Sequence, residues 1–71
     1  MKEIIIKTEF IKLGQFLKFV GEISNGADAK LFLENNLVLV NGEKETRRGR
    51  KIYKDYSIKV LTNEYIIKAD C

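Results

Sequence analysis

Seventy-one residues provide for one small domain. A chain this short buries roughly 60% of the surface that its unfolded form exposes, which excludes a catalytic cleft between two lobes. The net charge is only +3, from 13 Lys and Arg against 10 Asp and Glu, and the chain has no His, Trp or Pro and a single Cys. The commonest general base and metal ligand is therefore missing, and one thiol builds neither an internal disulfide nor a zinc site nor a Cys/His nucleophile pair.

These exclusions predict a non-enzymatic, cofactor-free and metal-free domain spanning residues 1–71. The lone Cys71 reads as a bystander, with intermolecular oxidation as the alternative. A small fold without disulfides fits a reducing, cytoplasmic setting. The opening stretch from Met1 to Lys7 is too short and too charged for a signal peptide, and no apolar run reaches membrane-spanning length.

Taken in order, residues 3–7 hold three consecutive Ile, and β-branched side chains predict a strand. Leu13, Phe16, Leu17 and Val20 then fall at i, i+3, i+4 and i+7 on one helical face, with Lys12, Gln15 and Lys18 mostly away from it. Gly21 is placed to close this helix in the left-handed conformation. Gly14 inside it costs about 1 kcal/mol relative to Ala, which predicts a short helix or a close backbone approach. A second helix is announced by the caps Ser24 and Asn25, with Asp28 suited to its N-terminus. Ala29, Phe32 and Leu33 supply its apolar stripe, and Asn36 is a candidate left-handed terminator. Phe16 and Phe32 belong to the core on this pattern, and Phe10 and Phe19 are expected to be core or semi-buried.

From Leu37 the period becomes two. Leu37 to Val40 reads as a strand, Asn41-Gly42 as a hairpin turn whose residues both tolerate positive φ, and Glu43 to Thr46 as a polar edge strand. Ile52-Tyr53 reads as a brief strand or bridge, Ser57 to Leu61 as a strand, residues 62–64 as a turn and Tyr65 to Ala69 as the last strand. The fold class is α+β: two short helices packed on one side of a small, mainly antiparallel β-sheet.

The charge is unevenly spread. Residues 46–54 contain Arg47, Arg48, Arg50, Lys51 and Lys54 and no acid, a local +5, while the other 62 residues carry 8 basic and 10 acidic side chains. All three arginines lie between positions 47 and 50. Guanidinium presents a planar fork that matches phosphate and stacks on bases, and Gly49 permits a sharp turn or a close approach to a ligand. The segment reads as a phosphate-contacting loop; the competing reading is a solvated loop that balances acids elsewhere. Lys12 and Lys30, near the starts of the two helices, are candidate companions, as is Lys44 beyond the hairpin turn. Tyr53 and Tyr56 flank Lys54, so they serve either base stacking or packing at the sheet edge.

The chain resembles the S4 RNA-binding domain from about Lys12 to Val60. Lys12-Leu13 stands where that family has Arg-Leu, followed by Leu17 and Gly21, then Ala29-Lys30 and Phe32-Leu33, and Val38-Leu39-Val40-Asn41-Gly42 repeats its V-x-V-N-G hairpin. Ile52 and Ile58 match later apolar positions, and the run from Glu45 to Lys51 is similar to small stand-alone bacterial S4 proteins, the YaaA-like and YbcJ-like group. The resemblance implies an S4-like αL-motif fold. It also implies binding of structured, ribosomal RNA, association with ribosomal particles or their assembly, and a shared face for Lys12, Lys30 and the 47–51 loop; the RNA-binding candidates are Lys12, Lys30, Lys44, Arg47, Arg48, Arg50 and Lys51. Departures are Gly14 for a common Asp, Asn25-Gly26 for Ser-Arg, Glu45 for a frequent apolar residue, and Asp55-Tyr56 for a Gly-Asp turn. The alternative is a protein-interaction module that docks the basic loop on an acidic partner.

Overall fold

The computed structural model describes residues 1–70; Cys71 and the readings attached to it lie outside the described residues. Seven strands and two helices follow in order: β1 Lys2–Ile6, β2 Phe10–Lys12, α1 Leu13–Phe19, α2 Ala29–Asn35, β3 Val38–Val40, β4 Glu43–Lys44, β5 Lys51–Tyr53, β6 Ser57–Val60 and β7 Asn63–Ala69, with a 3-10 turn at Gly26–Asp28 leading into α2. Five strands form one sheet in the order β1-β7-β6-β3-β4, and β2 and β5 form a separate antiparallel ribbon. The pairing is mainly antiparallel; β1 alone runs parallel to its neighbour, with Lys2 beside Tyr65 and Ile6 beside Ala69.

Alternation along the strands builds the core. Val38, Val40, Ile58, Val60, Tyr65 and Ile67 turn inward, and the stripes of the helices meet them through Leu13, Phe16, Leu17, Ala29 and Leu33. Phe16 and Tyr65 pack edge to face, with ring centres 5.3 Å apart. Phe32 packs half-buried against this cluster. Phe19 departs from expectation: it is 64% exposed, because it lies two residues past the buried Leu17, on the far side of α1 from the stripe that Val20 continues.

The punctuation residues behave as their chemistry dictates, with two exceptions. Asn41 and Gly42 have φ of 52° and 85°, and the Asn41 side chain also accepts a hydrogen bond from the Ser57 N–H at 2.9 Å, which fastens the hairpin to β6. Gly21, at φ 85°, closes α1, and its N–H donates to the Lys18 carbonyl. Asn25 caps the 3-10 turn and not α2 directly. Asn36 is extended and not left-handed; it ends α2 by directing both its backbone and side-chain N–H groups to the Phe32 carbonyl. The last turn begins one residue earlier than the sequence suggests: Leu61 takes φ 57° and β7 starts at Asn63.

Candidate nucleic-acid interface

Where the basic loop sits is decided by backbone hydrogen bonds. The N–H groups of Leu13 and Gly14, in the first turn of α1, donate to the carbonyls of Arg50 at 2.8 Å and Arg48 at 2.9 Å. Helix starts leave such donors unpaired, and here the loop satisfies them. The Lys12 N–H is taken by the Gln15 side chain at 3.2 Å. This docking explains Gly14. A Cβ there would stand 3.3 Å from the Ala29 Cβ and 3.4 Å from both the Cβ and the carbonyl oxygen of Arg48. Gly49 has no such constraint, since a Cβ would meet nothing within 4 Å. It lies in a turn closed by the Arg50 N–H on the Arg47 carbonyl.

The loop is less freely positive than its composition suggests. Glu45, one residue outside the acid-free stretch, is only 6% exposed and sits under the arginines. Its carboxylate accepts from the backbone N–H groups of Thr46 and Arg47, from Nε and Nη2 of Arg47 at 3.0 and 3.1 Å, and from Nη1 of Arg50 at 2.8 Å. The Arg47 side-chain hydrogen bonds, outweighing the opposing cost of burial, hold the Glu45 carboxyl at about 2, well below its ordinary 4.5. Bonding to Glu45 in turn raises the pKa of both guanidinium groups. The carboxylate stays buried because the two arginines and two backbone N–H groups satisfy it. Arg47 remains 74% exposed at its side chain, against 32% for Arg50.

Three of the cations that have no carboxylate partner among the described residues gather in one place. Lys12, Lys18 and Arg48 line one open depression of about 390 Å³, with Gln15, Gly14 and Gly26. Lys18 is a member that the sequence pattern left as an outward helical residue. Lys51 is exposed and faces Lys12 across the β2–β5 ribbon. Lys30 is exposed next to Ala29 on α2 but does not line the depression. Lys44 stands apart: it pairs with Leu39, whose side chain points away from the inward-facing Val38 and Val40, so it lies on the sheet face opposite the helices.

Among the described residues no group of three or more His, Cys, Asp and Glu could hold a metal ion, and no helix is long and apolar enough to cross a membrane. The chain matches the S4 domain family over residues 4–68. It belongs to that family. It is also 56% identical, over 50 residues that cover 70% of each chain, to the probable ribosome maturation protein RlbA of Bacillus subtilis strain 168. The two helices and the mainly antiparallel sheet are the S4-like arrangement that the hairpin motif and helix spacing had implied.

Proposed function

We propose that this S4 domain is a non-catalytic binder of structured ribosomal RNA that acts in ribosome maturation, with Lys12, Lys18, Arg48 and Lys51 carrying the phosphate contacts and Arg47 assisting from the rim. The observation that carries this reading is the docking of the 47–50 loop on the start of α1, which gathers unpaired cations from three elements around one open surface. Phosphate contact by such groups releases counterions and fixes register on RNA, and A-form helices are recognised through shape and backbone. Family membership and the name of the Bacillus relative support RNA and the ribosome as the setting.

The test is salt-dependent binding to ribosomal RNA fragments. Four phosphate contacts give a slope of log K against log salt of about −3 to −4. Lys12→Gln, Lys18→Gln and Arg48→Gln combined should remove most of that slope while the fold persists. Full affinity in this folded variant would overturn the proposal. Removing Arg47 and Arg50 is the poorer experiment, because it strands a buried Glu45. An acidic protein partner for the same loop is distinguished by RNase: release from ribosomal fractions on digestion supports RNA, and retention supports the protein.

A further inference from the structure

The β2–β5 ribbon sets aromatic rings on its outer face, beside two lysines of the phosphate cluster. Its register pairs Phe10 with Tyr53, Ile11 with Ile52 and Lys12 with Lys51. Alternation then sends Ile11 and Ile52 toward the core, where Ile52 is fully buried, and puts Phe10, Tyr53, Lys12 and Lys51 together on the outer side. The Phe10 and Tyr53 rings lie 5.8 Å apart, and the Lys51 Nζ stands 4.9 Å from the Phe10 ring centre. Tyr56 continues the row, 5.8 Å from Tyr53, with the Arg50 guanidinium 6.0 Å from its ring. Tyr56 packs against the core, whereas Phe10 and Tyr53 are half-buried without belonging to the hydrophobics set against it.

Two partly open aromatic rings edged by two lysines are a poor way to bury apolar surface but a good way to hold a nucleotide. Aromatic side chains stack on any base, and neighbouring cations hold the phosphates on either side. Lys12 belongs to both surfaces, since it lines the depression and stands on the ribbon. An RNA helix whose backbone lies in the depression therefore brings its next nucleotide to the rings. A paired base is stacked within its helix and is unavailable, so the ribbon selects an unpaired one.

We propose that the outer face of the ribbon is a stacking site for one unpaired RNA nucleotide, with its base on Phe10 and Tyr53 and its phosphates on Lys12 and Lys51. Lys51, long and exposed, moves from the Phe10 ring to the phosphate when the base arrives. The site rests on the RNA-binding reading and specifies a subsite beyond it.

The experiment compares an RNA hairpin carrying a single bulged 2-aminopurine with its fully paired counterpart. Wild-type protein should bind the bulged RNA about tenfold more tightly and quench the fluorescence of the bulged base. Phe10→Leu and Tyr53→Leu should lose both effects yet keep the affinity for the paired hairpin, and Tyr53→Phe should retain both. Equal affinity of the wild type for the two hairpins, without quenching, overturns the stacking site and leaves RNA binding standing. Failure to bind either hairpin at about 50 mM salt, where electrostatic contacts are strong, overturns both. The wild-type comparison decides the matter even where a leucine variant fails to fold.

Discussion

Replacing Glu45 with Gln tests whether a buried carboxylate organises the basic loop. In the folded chain the Glu45 pKa is lowered from 4.5 to about 2. A shift of that size corresponds to at most about 3 kcal/mol at neutral pH. Arg47 is largely solvated, and screening reduces the figure to about 1–2 kcal/mol. A depressed folded-state pKa gives stability that is fully present above the unfolded value near 4.5 and is lost as pH falls toward 2. A little over half of the contribution should be gone by about pH 3. The assay is urea unfolding of both proteins, followed by tyrosine fluorescence in a chain without Trp, at steps from pH 7 to pH 3. With a slope of about 1 kcal/mol per molar urea, the neutral-pH gap appears as a midpoint shift of roughly 1–2 M. Other carboxylates titrate in both proteins and cancel in the difference. A gap that stays constant between pH 7 and pH 3 refutes the reasoning.

Three further outcomes are expected. Leu61→Asn should raise stability by up to about 1 kcal/mol, because Leu61 holds a left-handed φ that Asn adopts more readily, and thermal melting reads the change. Gly14→Val should cost about 1–3 kcal/mol through crowding against Ala29 and Arg48; it should also weaken RNA binding beyond the loss of folded protein, since the Arg48 carbonyl must retreat. Gly49→Ala, with open space around the added Cβ, should leave unfolding free energy within about 0.5 kcal/mol of wild type.

Residues with a local mechanism were legible from the sequence alone. Asn41-Gly42 dictates its hairpin because both positions need positive φ, and the apolar stripes of α1 and α2 show at 3.6-residue spacing. One strand that depends on a distant partner was not. Phe10–Lys12 is three residues of mixed character running straight into a helix, and it becomes a strand only because Lys51–Tyr53 lies beside it. The Phe10–Tyr53 pair was hidden for the same reason. Lys18 reads as a solvated helical residue until the loop docks opposite it. The arginine cluster was visible, but the carboxylate beneath it fell one residue outside the acid-free stretch. Its burial follows from the Glu45 N–H bonding back to the Val38 carbonyl, a contact no charge count contains. Leu61 gave no turn signal because leucine rarely occupies that conformation.

The parallel pairing of β1 with β7 bears on how the molecule assembles. Lys2 lies beside Tyr65, so β1 has no hydrogen-bonding partner until residues 63–69 have been synthesised. Contacts of such long sequence separation form late and slowly. The hairpins β3–β4 and β6–β7 and the pair of helices join nearer neighbours, whereas β1 must add from afar to the free side of β7 and becomes the outer strand itself. Until it does, Ile4 and Ile6 remain open to other chains and the longer β7 strand is left unpaired along that side.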